Sequence, residues 1–383
     1  MRAFLAFLFS LFVGACVQAQ WWKVQTSGLD TNLRGVSAAY KGNIKRARNA
    51  VAWASGSNGA ILKSLDRGES WQRLHVEGGD ALDFRGIVAF NEKTVYVMSS
   101  GEGEKSRIYK TMDAGETWNL QYSDKRKEFF LDTIACVAET HCFALGDPID
   151  GKFLLLETTD GARWTPLPSV NMPAALPGEG AFAASNTCLF VSGEEIFFGT
   201  GGPAARVFHT TNSGRTWTVA ETPIAHGNAF SGIFSITRGD GKDIVVVGGD
   251  YQDPKRASAV AAYSHNEGKT WQLSEPQPGG YRSSLACFED ALCVAIGPTG
   301  EDVSVSKVSA ARWKPTDSLN LNAVTILDVE NGWAVGPKGT IARFVNRAFL
   351  YGPSQRERPT TPSPLPAQGR RKKGYSPVEG DTE

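Results

Sequence analysis

The sequence predicts an all-β fold: a seven-bladed β-propeller of four-stranded antiparallel blades. Three observations predict it. A turn of the form Ser/Thr-x-Asp/Asn-x-Gly-x-Thr/Ser-Trp recurs along the chain, ending at Trp71, Trp118, Trp164, Trp217 and Trp271, with a worn copy at Trp313. Short apolar, β-branched runs broken by Gly, Asn, Asp and Ser flank every copy, which is strand patterning and not helix patterning. The last unit lacks its fourth strand, whereas the start of the chain carries an unassigned one, Gln20 to Gln25.

Taken in order, the chain opens on an export signal: Arg2 supplies the positive region and Ala3 to Val13 a short apolar run. That run is shorter than the ~20 residues that span a bilayer. Two endings are open. Val17-Gln18-Ala19 is a small-residue cleavage site, and Val13-Gly14-Ala15-Cys16 resembles a bacterial lipobox that would make Cys16 a lipid anchor. Either ending places the mature protein outside the cytoplasm, in the periplasm, on a membrane as a lipoprotein, or secreted. The expected divisions are residues 1–19 as signal, 20–349 as propeller and 350–383 as a disordered tail.

Each unit then reads as an inner strand, a second strand, a third strand entering the turn, and an outer strand beginning at its Trp. Unit one has RGVSAA, AVAWASG, AILKS and SWQRL, and unit two has RGIVAF, TVYVMSS, RIYKT and TWNLQY. Unit three has DTIACV, HCFALG, FLLLET and RWTPL. In unit four the expected strands are GAFAAS (180–185), CLFVSG (188–193), RVFHT and TWTVA. Unit five has GIFSIT, DIVVVGG, AVAAYS and TWQLS, and unit six has SSLACF, LCVAIG, DVSVSK and RWKPT. Unit seven has NAVTIL, GWAVG and TIARF and then no turn, so Gln20 to Gln25 is its expected outer strand. That pairing closes the ring and leaves no free edge. The turns recur every 42–54 residues, the length of a four-stranded blade. Beyond residue 349 the chain is Pro-rich and polar without apolar period, and it carries the cluster Arg370, Arg371, Lys372 and Lys373.

Within the turn, Asp66, Asp113 and Asp160 are positioned to accept backbone N–H bonds, and the Gly to take positive φ. Asn212 and Asn266 replace the carboxylate in two copies, so the position serves turn construction and not catalysis. The motif resembles the Asp-box, or BNR, repeat of β-propellers.

Lys+Arg and Asp+Glu number 40 each, a balance that excludes a dedicated nucleic-acid binder. IACVAETHCFALG and LACFEDALCVAIG place two cysteines at the same point of two units. Cys136 with Cys142, and Cys287 with Cys293, can therefore face each other across a hairpin and close disulfides in an oxidising compartment. Cys188 is expected to be a buried free thiol at the second position of that pattern, with Phe182 in its partner's place. No metal is expected, since the spacing is wrong for zinc and His141 is the single nearby partner. No cofactor is expected either.

In such a blade successive turns alternate sides, which puts the Trp-ended turns and cysteine hairpins on one face. The other face carries the irregular loops, the usual place for recognition on a rigid frame. Loops of units three to six are expected to bring Asp147, Asp150, Glu179, Arg206, Asp250, Tyr251, Arg282 and Asp302 towards the axial mouth. They serve either as a ligand or client site or as salt-bridged loop braces.

The blades ENGWAVGPKGTIARF (330–344) and AWASGSNGAILKSLDRGESW (52–71) resemble the repeats of the photosystem II stability/assembly factor family. The resemblance extends over about residues 21 to 346. It implies a seven-bladed propeller at a membrane surface that binds a protein client during assembly. The phrases LPGEGAFAAS, GTGG, GGDY, GYRS and GPTG resemble its non-photosynthetic bacterial branch. Asp-boxes also occur in sialidases and glucan-cleaving propellers, so a glycosidase is the alternative, with a glycan or small polar ligand as occupant. That reading needs two carboxyl groups roughly 5–9.5 Å apart, and Asp147, Glu179 and Asp250 are the trio to test. A sialidase-like site would use Arg206 and Arg282 with Tyr251 and Glu179. A small-ligand sensor is the third reading.

Overall fold

The computed structural model describes residues 21–345 except 169, 240, 289–291, 306–309 and 329. The proposed signal, Cys16 and the basic tail cluster lie outside the described residues. Seven antiparallel sheets follow one another along the chain. From inner to outer strand, blade one is Leu33–Tyr40, Ala50–Gly56, Ile61–Ser64 and Gln72–Leu74. Blade two is Phe84–Ala89, Val95–Ser99, Arg107–Thr111 and Asn119–Ser123, and blade three is Leu131–Ala138, His141–Ile149, Lys152–Thr158 and Thr165–Pro166. Blade five is Asn228–Arg238, Ile244–Asp250, Ala261–Ser264 and Gln272–Leu273, and blade six is Ser284–Phe288, Leu292–Gly297, Gly300–Val305 and Lys314–Asp317. Inner strands of successive blades touch around the ring, and that of blade seven (Ala323–Asp328) meets that of blade one.

Closure is as expected. Trp22–Thr26 pairs antiparallel with Thr340–Phe344 in the register Trp22 to Phe344 through Thr26 to Thr340, completing the last blade. The indole of Trp22 is fully buried and donates to Glu301 of blade six.

The Trp-ended turns are built as their chemistry predicts. In blade two, Thr111 Oγ1 donates to Asp113 Oδ1 at 2.8 Å and accepts from the Gly115 N–H at 2.9 Å. The same Asp113 oxygen accepts from Thr117 N at 2.9 Å, while Oδ2 takes the Thr117 hydroxyl at 2.5 Å. Ser64, Asp66, Gly68 and Ser70 repeat the arrangement. Asn212 and Asn266 keep it by accepting the same N–H through Oδ1 and donating to the Thr hydroxyl through Nδ2. Asp160, in a turn one residue shorter, accepts from Ala162 N and Arg163 N. Gly115 has φ 86°, next to Ala114 at 67°, a left-handed pair that needs Gly at the second position.

The repeat exists because its tryptophan joins blades. Trp118 packs into the core around Trp53 of blade one, Trp164 meets Tyr96 of blade two edge-on, and Trp271 packs by Phe197 of blade four. Trp217, Trp313 and Trp71 likewise share cores with Phe143, Val245 and Trp333. Those partners occupy one equivalent position in the second strand of the preceding blade. Lys63 and Lys110 seal two seams, their ammonium groups donating to Ala114 O and Gly161 O over the Trp53 and Tyr96 rings.

Cys136–Cys142 and Cys287–Cys293 are disulfides, each joining residues paired across the hairpin. Tyr96 Oη donates to Glu139 O of the first cysteine hairpin and also lies 3.0 Å from Gly161 O of the adjacent Trp-ended turn, so the two turn types share one face.

Blade four departs from expectation. Its inner strand is Leu189–Ser192 and its second strand Glu195–Gly199, followed by Arg206–Thr210 and Thr218–Glu221. The run GAFAAS is no strand of the blade, and CLFVS moves inward to the axis. Cys188 is buried and free as expected, but it stands at the start of the inner strand, not at a hairpin turn. The displaced segment crosses the channel. Asn186 Oδ1 accepts from Ile134 N of blade three at 2.8 Å, and its amide donates to Ile87 O of blade two. Ser185 Oγ donates to Ser283 O at the entrance to blade six, and Ile236 N of blade five donates to Thr187 O. Residues 183–187 thus form a floor tied to four other blades.

Candidate functional site

The axial mouth opposite the Trp-ended turns holds a cavity of about 500 Å³ above that floor. Its wall begins with a backbone irregularity that repeats. Near the start of the inner strand the register slips between Leu33 and Gly35, Phe84 and Gly86, Leu131 and Thr133, and Ile233 and Ser235. The extra residue of such a bulge leaves the ladder and its side chain is re-aimed. Those residues are Arg34, Arg85, Asp132 and Phe234, and all four line the cavity. Phe130, Asp147, Phe182, Tyr251 and Tyr281 also line it, with Ala181, Ala183 and Ala184. Phe182 stacks on Phe234 with ring centroids 3.8 Å apart, and Tyr251 and Tyr281 meet Phe234 edge-on.

The arginines have partners. Arg85 Nε donates to Asp83 Oδ2 at 2.7 Å and its Nη1 to Ala183 O at 3.0 Å, while Arg34 Nε lies 3.6 Å from the same Asp83 oxygen. Burial, and then Arg85 as a like charge, hold the Arg34 guanidinium below its ordinary value. Asp132 differs: it is 1% exposed and its Oδ2 has no hydrogen-bond partner among the described residues. Burial and then the neighbouring Asp147 push its carboxyl well above the usual range. Asp147 accepts one bond, from Ala181 N at 3.1 Å, and burial raises it to about 6. Beside the cavity, and sharing Asp147, Ala181 and Phe182 with it, runs a groove of about 600 Å³ between residues 175–182 and the Gly201–Gly202 edge.

Of the residues singled out from sequence, Asp147 and Tyr251 reach the cavity. Tyr251 is 45% exposed at its lip. The others brace the loops. Glu179 has a buried side chain that takes Arg206 through both oxygens, Thr200 Oγ1 at 2.6 Å and Leu176 N at 2.8 Å. Arg282 and Asp302 form a second buried pair inside blade six, closed by Gly279 N and Thr299 Oγ1. Asp250 accepts from Gln252 N within its own loop and from Asn228 Nδ2 at the start of the blade's inner strand. Asp150 is an exposed hairpin residue at φ 53°. The trio Asp147, Glu179 and Asp250 therefore does not assemble as two free carboxyl groups across a cleft, because two of its members are spent on braces. The Arg206 and Arg282 of the sialidase-like set are spent in the same way.

Sequence reasoning missed Arg34, Arg85, Asp132 and Phe234. The signal was present: LRGV, FRGI and LDTI set a charge inside an otherwise apolar inner strand.

No family model matches the sequence, and no curated protein matches it. Solved structures do. YCF48 bound to D1 peptide aligns with a TM-score of 0.59 at 13% identity, covering 85% of this chain and 97% of that one. YCF48 from Cyanidioschyzon merolae aligns at 0.57 and 12% identity, covering 85% and 99%. The RRP9 WD40 repeats align at 0.58 and 9%, covering 84% and 97%. What these chains share with this one is the propeller. At such identities the likeness is one of fold, and the residues of the mouth stand on their own geometry.

Proposed function

We propose that this protein is an exported, non-enzymatic propeller that binds a segment of a protein client at the axial mouth, as an assembly or stability factor at a membrane surface. The observation that carries the reading is a rim locked by two buried ion pairs around a charged and aromatic cavity that continues into a surface groove. Rigid loops reduce the ordering cost of binding an extended segment. A propeller of similar fold that holds a D1 peptide supports a peptide as occupant, and two disulfides support an oxidising compartment.

The test is capture from envelope extract at low salt, using the purified chain and variants of both faces. Tyr251→Ala and Phe234→Ala in the mouth should lose the captured client, and Lys269→Ala by a Trp-ended turn should keep it. Capture that ignores the mouth variants would overturn the reading. So would turnover of a glycan panel abolished by Asp147→Asn, since Asp132 and Asp147 are the carboxyl groups that line the cavity.

A further inference from the structure

Around the cavity, charge compensation is uneven. Asp83 lies against both guanidinium groups, and Ser57 donates to its other oxygen at 2.8 Å. Asp132 feels the Arg85 guanidinium only through space, its Oδ2 has no hydrogen-bond partner among the described residues, and Asp147 has a single backbone N–H. A buried polar atom without a partner costs about 1–3 kcal/mol, and native proteins keep few of them. Here the unpartnered oxygen belongs to a residue that lines a cavity large enough for a side chain, under an aromatic wall of Phe182, Phe234 and Tyr251. An acceptor of that kind beside a second carboxyl group fits a cationic donor, and the rings fit an aliphatic stem or the face of a guanidinium.

We infer that the axial cavity is the receptor for a basic side chain of the client, a lysine ammonium or arginine guanidinium seated between Asp132 and Asp147 with its stem against Phe182, Phe234 and Tyr251. This rests on the proposed peptide-binding role and names the residue class that anchors the peptide. Binding is coupled to a proton. Held neutral in the empty cavity, a carboxyl group gives up its proton to solvent as the cation arrives, leaving a carboxylate hydrogen-bonded to the bound ammonium. Charge and protons balance with no other reactant. The charged and titratable groups facing the pair are Arg34, Arg85 and Asp83 at the starts of the first two inner strands, Tyr251 and Tyr281 on the loops, and the Cys188 thiol below. Burial pushes that thiol and Tyr281 up, so both stay neutral. The pH response is assigned to the carboxyl pair, which the cation touches.

The test is calorimetry on the full chain with three probes: N-acetyl-lysine amide, its uncharged isostere N-acetyl-norleucine amide, and propionate. The lysine probe should bind about a hundredfold more tightly at about pH 7.5 than at about pH 5.5, releasing about one proton by comparison of buffers. Norleucine amide should bind at least about tenfold more weakly. Asp132→Asn, isosteric and neutral in a site that already lacks a partner, keeps the fold intact. It should lose most of the lysine affinity and flatten its pH dependence. Equal binding of lysine and norleucine probes, or propionate binding alone, would overturn the inference. Client peptides captured at the mouth without regard to their basic residues would sink it and leave the peptide-binding role standing. A lysine probe bound as expected, with no client captured, would do the reverse.

Discussion

At the scale of single residues, the fold withdraws ionisable groups from water, and this makes its stability depend on pH in a definite direction. Burial raises Asp132 and Asp147 above an ordinary Asp. Across the interval from the ordinary Asp value to about 6 for Asp147, the folded chain holds a proton that the unfolded chain has released. Stability contributed by these groups therefore falls as pH rises above the ordinary Asp value, through about 6 for Asp147, with Asp132 shifted in the same direction. Asp132→Asn removes one of the two titrations. The variant should match the parent near pH 4 and unfold at higher urea near pH 8, with an unchanged slope of the transition. Equal midpoints at both pH values would mean that solvent reaches the carboxyl group. These residues also mark the limit of what sequence disclosed about the site. Charged loop residues were legible as a group, but a loop Asp and a loop Arg that find each other look the same in sequence as two that stay apart. Glu179 with Arg206 and Arg282 with Asp302 did find each other. The residues left for recognition sit on bulges of the inner strands, and a register slip of one residue is set by pairing with the next strand, which composition does not reveal.

At the scale of elements, the Trp-ended turn is a local solution to a tertiary problem. Its side-chain bonds hold two successive left-handed residues so that the Trp reaches the preceding blade. Thr111 is the test case, because its hydroxyl is buried and is the acceptor for the Gly115 N–H. Thr111→Val keeps the shape and removes that acceptor, and should cost about 1–2 kcal/mol by urea unfolding, with the fold retained by circular dichroism. A cost near zero would show the turn to be held by its Trp alone. Such turns were legible from sequence because all their chemistry lies within eight residues. So were the strands of the six other blades, and so were both hairpin disulfides. Blade four was not. Its run GAFAAS is apolar enough for a strand, yet it is buried by crossing the axis and not by pairing in a sheet. Length did not mark it out: Trp164 to Trp217 is longer than either preceding gap between turns, but Trp217 to Trp271 is longer still and holds a regular blade.

At the scale of the whole molecule, a ring of blades has one weak seam, where its ends meet, and here it is fastened by the strand Trp22–Thr26. Its hydrogen bonds cover the edge of Thr340–Phe344, which would otherwise be open to pairing with another chain. Its first residue reaches further, since Trp22 packs edge-on against Phe344 and donates to Glu301, which also takes the Thr316 hydroxyl at 2.6 Å. Blade six is thus bonded to the strand that completes blade seven. Trp22→Ala removes both the packing and the bond, and should cost about 3–5 kcal/mol, with aggregation setting in at a lower temperature than in the parent. The same contact carries a pH signature. Burial raises Glu301 to about 8, against 4.5 for an ordinary Glu. Between those values the folded ring keeps a proton that the unfolded chain loses, so the seam weakens as pH rises through the window and the loss is complete above it. Glu301→Gln, whose amide can accept from Trp22 and donate to Thr316, should melt at nearly constant temperature across the window while the parent declines. If both decline in parallel, the seam is not where the ring opens, and its weakest point must be sought at another pair of blades.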